Sequence, residues 1–255
     1  MELIKCISTI EDFNMEEFIK NKIGVEIQDF TEPSLLDEGW NQLVDEYKKI
    51  LTSFNNTVSI HGPFLDLKPV SPDEKIREVS YNRYLTTLNI GKELKADYII
   101  FHSQINPWIN EPYIKNLNNE LNKEFFNKIL TDVETFKGKV LLENIFEDSP
   151  YLLKELIETI NLPNVKVCLD IGHAKLREEI PLSIWLEVLK DHIEYIHFHW
   201  NGGIYDEHNS PPKEAIEEIT ELLYKLNIKC KLALEYRVDN LTEEIHRVRK
   251  SSFLV

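Results

Sequence analysis

Eight short runs rich in β-branched and aromatic residues recur along the 255-residue chain, each followed by a longer segment of helical spacing dense in Glu and Lys. The runs are ELIKCIS (2–8), GVEI (24–27), TVSIHGPF (57–64), DYIIFHS (97–103), KVLLENI (139–145), VKVCLDIGH (165–173), YIHFHW (195–200) and KLALEYR (231–237). Helices are expected between them at about 11–20, 34–53, 73–94, 117–137, 149–160, 182–191, 212–227 and 241–252. Several of these open on start signals, among them Ser34 before LLDEGW, Ser71-Pro72-Asp73-Glu74, Ser149-Pro150 and Pro211-Pro212. From Val25 to Leu232 the strands return about every 35 residues, the length of one β/α unit. Eight such units with no linker or low-complexity stretch predict one α/β domain over 1–255, a closed (β/α)8 TIM barrel. Alternation alone leaves an open doubly wound sheet as the alternative.

Composition narrows the partners. Asp and Glu number 44 against 29 Lys and Arg, a formal charge of −15, which repels phosphate backbones and anionic membranes and so disfavours a nucleic-acid partner. Cys6, Cys168 and Cys230 are an odd number without paired spacing and fit a reducing cytoplasm, where buried Cys acts as a small apolar residue. No run approaches the roughly 18 consecutive apolar residues of a membrane span, and MELIKCISTIEDF lacks the uninterrupted apolar stretch of a signal peptide. Neither GxGxxG nor GxxxxGK[ST] occurs, which argues against a backbone cradle for nucleotide phosphates. The helix faces are generically acidic, and no patch on them specifies an oligomer.

A closed barrel builds its site at the carboxyl ends of its strands. Those ends carry Glu26, His61, His102, Glu143, Asp170 with His173, His197 with His199, and Glu235, and the loop after strand 7 adds Asp206 and His208 as D-x-H. Six of the eight histidines fall at strand ends or just after them, while His192 and His246 do not. Glu143, Asp170, Asp206 and Glu235 around one axis repel one another unless cations or protons compensate. A divalent ion supplies that charge, and imidazole with carboxylate and no thiolate suits Zn²⁺, Mn²⁺, Co²⁺ or Fe²⁺ without choosing among them. His197 and His199 share strand parity, with His199 nearer the mouth as ligand and His197 in the layer below. Glu26, His197, Arg237 at the rim and Trp108 in the loop SQINPWINEPYIKN are the candidate substrate contacts.

The segments GVEI, HGPFLDLKPVSPD, IIFHS, LLEN, CLDIGHA, HFHWN, DEH and LEYR resemble, in order and through essentially the whole chain, the xylose isomerase-like TIM barrel superfamily. That superfamily includes sugar isomerases and epimerases, some dehydratases and the endonuclease IV repair enzymes. The resemblance implies a metal set of Glu143, Asp170, His199 and Glu235, as in the isomerase and epimerase branch. Compared with endonuclease IV, His61 and His102 join Glu143 at a first metal, and His173, Asp206 and His208 hold a third. The loops differ from that branch: LLENIFEDSP replaces an Ala-Gly-Gln-Gly type run, GHAKLREE a Phe-Ala-Ala-Gly type stretch, and NSPPKEA the Gly-Glu-Gly run after D-x-H.

The function expected is therefore a metal-dependent isomerase, epimerase or lyase for a small sugar-like hydroxycarbonyl compound. It would use one to three ions of zinc or manganese and pass a proton between Glu143 and Glu235. The alternative is a multi-zinc phosphodiesterase acting on abasic DNA or a small phosphoester. A barrel that binds without catalysis is disfavoured by the intact pair of acid/base carboxylates.

Overall fold

A computed structural model describes residues 1–109, 111–176 and 179–253. Asn110 of the loop after strand 4, Arg177 and Glu178 of GHAKLREE, and the last two residues of the 1–255 span lie outside the described residues. The strands are β1 Glu2–Ile7, β2 Gly24–Ile27, β3 Val58–His61, β4 Tyr98–His102, β5 Lys139–Glu143, β6 Val165–Asp170, β7 Ile193–Phe198 and β8 Lys231–Leu234. Each pairs in parallel with the next, and β1 pairs with β8 through Ile4↔Ala233, so the sheet closes into a barrel. Closure removes the open-sheet alternative and, among the described residues, leaves no unpaired edge strand.

The helices are α1 Met15–Asn21, α2 Pro33–Asp37, α3 Trp40–Ile50, α4 Glu74–Leu94, α5 Pro112–Asp132, α6 Pro150–Ile160, α7 Ile171–Lys175, α8 Leu182–Leu189, α9 Lys213–Lys225 and α10 Leu241–Ser251. The expected helix 34–53 is two pieces, α2 and α3, because Gly39 between them takes φ 103°, a left-handed turn that glycine makes without steric cost. α6 shows how the sequence sets a helix. Ser149 caps it by accepting from Tyr151 N, Pro150 occupies its first turn, and Leu153, Leu156, Ile157 and Ile160 form its buried stripe. Asn161 ends it at φ 50°. Truncating fully buried Leu156 to Ala would cost about 2–5 kcal/mol. Among the described residues no helix is long and apolar enough to cross a membrane.

Two apolar clusters divide the interior. The larger lies between sheet and helices, and the smaller, Ile4, Cys6, Ile100, Leu141, Cys168, Tyr195 and Ala233, fills the barrel lumen. Side chains two residues apart on a strand share a face. The residues that follow the lumen cluster on the same faces are His102, Glu143, Asp170, His197 and Glu235. Alternation alone thus stacks an ionisable layer on the apolar plug. Register levels it: His102 lies beside Glu143, and Asp170 beside His197 after a shift at Val167/Cys168.

Candidate metal centre

The first cluster comes from β3, β4 and β5. His61 Nε2 lies 3.2 Å and His102 Nε2 3.7 Å from Glu143 Oε2, and the three side chains are almost wholly buried. His61 Nδ1 donates to Gly62 O at 2.8 Å. A carbonyl only accepts, so Nδ1 carries a proton and Nε2 is the nitrogen turned to the carboxylate, whose bond and charge raise the imidazole pKa against its burial.

That arrangement recurs beside it, after β6 and β7. Asp170 ends β6 and caps α7, its Oδ1 accepting from His173 N at 2.6 Å, which places His173 one turn along. His173 Nδ1 donates to Asn144 O at 2.9 Å, and its Nε2 lies 3.2 Å from Asp206 Oδ2. His208 Nδ1 donates to Glu235 O at 2.8 Å, with Nε2 2.9 Å from the same Asp206 oxygen. Trp200 and Asn209 pair as an antiparallel bridge, closing the loop that carries Asp206 and His208. His199 completes the group: the donor atoms of His173, His199, Asp206 and His208 lie within 4.8 Å of one another. Space for the His199 ring depends on Gly172, where an added Cβ would fall 1.9 Å from it.

Between the two clusters, His197 Nδ1 is 3.2 Å from Glu143 Oε1, 3.3 Å from Glu235 Oε2 and 3.8 Å from Asp170 Oδ2. His197 Nδ1, His199 Nδ1 and Glu235 Oε2 are buried without a hydrogen-bond partner. Unmatched buried polar atoms are costly, and here they gather where carboxylates converge. Three imidazoles fixed through Nδ1 on carbonyls turn Nε2 to carboxylates, where either a proton or a divalent ion can balance the charge, and the donor set fits such an ion with nitrogen and oxygen ligands.

The electrostatics agree. Burial pushes Glu143 upward, but the His197 and His102 imidazoles outweigh it and hold the carboxyl well below its usual range. Asp170 is likewise held low by His173 and His199 against its burial. Burial raises Glu235 despite His197, and it pushes His102 down to about 4, which keeps that ring neutral near pH 7. His208 moves the other way, to about 9, because its bond to Asp206 outweighs burial.

A cavity of about 710 Å³ opens over this layer, walled by His61, His102, Glu143, His173, Asp206 and Glu235 among others. All nine residues expected as ligands thus come together at one mouth. The expected substrate contacts fare differently. Glu26 and His197 are fully buried and do not line the cavity, Glu26 lying below the carboxylates and His197 level with Asp170, its Nδ1 facing Glu143 and Glu235. Trp108 is 89% exposed and does not line the cavity. Arg237 faces an adjoining cavity of about 800 Å³ that shares Gln28, His208 and Glu235 with the first.

Sequence reading missed three contributors. Asn144 brackets Asp170, donating to its carbonyl at 2.9 Å and accepting from its N–H at 2.8 Å. Phe64 stacks on His102 with ring centroids 4.8 Å apart and lines the cavity. Gln28 also lines the cavity, and the parity that placed Glu26 would have found it two residues on.

A parallel eight-stranded barrel with its histidines and acids gathered at the carboxyl mouth defines the class of protein. Within it, the chain belongs to the xylose isomerase-like TIM barrel family, whose model matches residues 22–252. The uncharacterised protein MJ1614 of Methanocaldococcus jannaschii is 29% identical over 176 residues, 68% of this chain and 67% of that protein. Among solved structures, the TTHB071 protein of Thermus thermophilus, from a crystal soaked with ZnCl2, superposes with a TM-score of 0.74. It is 23% identical, with 98% of this chain and 96% of that one covered. A D-tagatose 3-epimerase-like protein gives 0.73 at 19% identity, covering 98% and 95%.

Proposed function

We propose that the chain is a divalent-metal-dependent isomerase or epimerase acting on a small sugar-like hydroxycarbonyl compound. The observation that carries this reading is that Glu143 and Glu235, from opposite sides of the barrel, flank the same buried His197 nitrogen and both line the cavity. The fold likeness to a D-tagatose 3-epimerase-like protein supports it.

Glu143, Asp170, His199 and Glu235 would hold the central ion, with His61 and His102 beside Glu143 and His173, Asp206 and His208 beyond. A divalent ion bound there supplies Lewis-acid stabilisation of the substrate oxygen that becomes negative as a carbon-bound proton leaves. One glutamate takes that proton and the other returns one to the opposite face of the same carbon, which inverts it; returned to the neighbouring carbon, with the hydroxyl proton passed to the former carbonyl oxygen, it moves the carbonyl. Burial raises Glu235, the direction that suits the acid, whereas the neighbouring imidazoles hold Glu143 low, the direction that suits the base. The fully buried barrel layer below keeps water from reaching the carboxylates from beneath.

The test is solvent exchange. With Mn²⁺ added, the protein should carry deuterium from D2O into a ketose such as D-tagatose or D-fructose, and Glu235→Gln should stop it with the fold retained. A Glu235→Gln variant with unchanged exchange would refute the proton transfer.

A second reading rests on the completeness of the nine-residue donor set, which suits phosphoester hydrolysis with two or three ions. Two or three tightly held zinc ions with cleavage of an abasic-site oligonucleotide would favour it over isomerisation. Three free, buried cysteines suit a reducing compartment under either reading.

A further inference from the structure

A hydrogen-bonded chain runs beneath the carboxylates. Ser59 Oγ and Tyr195 OH lie 2.8 Å apart, and Tyr195 OH donates to Glu26 Oε2 at 2.8 Å. His197 Nε2 is 3.0 Å from the same oxygen, so Glu26 is a fixed, wholly buried post. Gln28 spans from that post to the mouth: its Nε2 donates to Glu26 Oε1 at 3.2 Å and to Glu235 Oε1 at 2.8 Å. Both amide hydrogens are used, one on each carboxylate.

The Gln28 backbone is itself tied. Its N–H donates to Ile7 O at 3.1 Å, and its carbonyl accepts from Thr31 N at 3.1 Å and Thr31 Oγ1 at 2.8 Å. With its backbone tied and its amide held on the buried Glu26, Gln28 offers Glu235 Oε1 a fixed donor. With Oε1 engaged, Oε2 is the oxygen left facing His197 Nδ1 at 3.3 Å, and it has no hydrogen-bond partner of its own.

We propose that Gln28 is a positioning residue that locks the Glu235 carboxylate, holding one oxygen so that the other is presented to the central ion and the substrate. The proposal rests on the metal-dependent reading above. An unheld carboxylate would rotate between one- and two-oxygen coordination, and outer partners of ligands typically account for a 10–100-fold effect on metal affinity or activity.

The test compares the full-length protein with Gln28→Met, which keeps the reach and loses both donors, and Gln28→Asn, which keeps the amide and is one methylene too short. Mn²⁺ affinity is read by competition with a chelator, alongside kcat and KM for deuterium exchange into D-tagatose. Both variants should bind Mn²⁺ about 10–100-fold more weakly and lose kcat with KM within twofold. A merely structural Gln28 would lower the melting temperature and leave the folded protein's Mn²⁺ affinity in place. Parent-like affinity in either folded variant overturns the proposal, whichever reaction the parent performs. Weakened Mn²⁺ binding in variants of a parent that exchanges no deuterium would uphold Gln28 and sink the isomerase reading. A parent that binds no Mn²⁺ would sink both.

Discussion

The two sides of the barrel mouth hold similar chemistry on different supports. His61, His102 and Glu143 stand on adjacent strand ends, and none is more than 6% exposed. Asp206 and His208 hang from the loop after β7, with side chains 34% and 37% exposed. A site on strands is held by the sheet ladder, whereas a site on a loop is only as fixed as the loop. The strand-borne cluster is accordingly expected to keep its ion longest, and the loop-borne cluster to exchange first.

Glu143→Gln has the largest expected effect, since Glu143 approaches His61, His102, His173 and His197. Turnover is expected to fall by about 10³-fold or more with far-ultraviolet circular dichroism unchanged. Gly172→Ala acts on the other side by forcing a methyl group onto the His199 ring. A loss of about 1–3 kcal/mol in chemical denaturation is expected, as for overpacking elsewhere. Asp206→Asn sharpens the contrast: its ion should bind about tenfold more weakly while that beside Glu143 is retained, as read by metal content after graded chelation.

The smallest effect is on pH dependence in the metal-free protein. His208 is raised to about 9, so the stability it contributes is complete below its unfolded value of about 6.5 and is lost as pH rises through about 9. Asp206 is depressed by His173 and His208 against its burial, so its contribution is present above about 3.9 and is lost as the solution is acidified. Both groups are about a third exposed and screened, so the change in melting temperature across these limits should be small. His208→Gln should flatten the alkaline limb.

Much of this was legible in the sequence for a physical reason. Strand alternation is a period-2 rule, and it carried His102, Glu143, Asp170 and Glu235 to one level from distant segments. The same rule located Glu26 and His197 on the inner face and set His197 below His199, but not how completely both are buried, which depends on register and on the packing of the lumen. Trp108 was not placed because a loop has no periodicity to read. The doubled role of Asp170, strand end and helix cap, was also hidden, since the helix it opens is only Ile171–Lys175.

The most direct measurement is anomalous scattering from crystals grown with Zn²⁺ or Mn²⁺, recorded at the corresponding absorption edge. Ion peaks are expected bonded to His61, His102 and Glu143 and to His173, Asp206 and His208, with a further ion among Glu143, Asp170, His199 and Glu235. Maps without a peak at any of these places, the imidazoles still bonded directly to the carboxylates, would contradict that expectation.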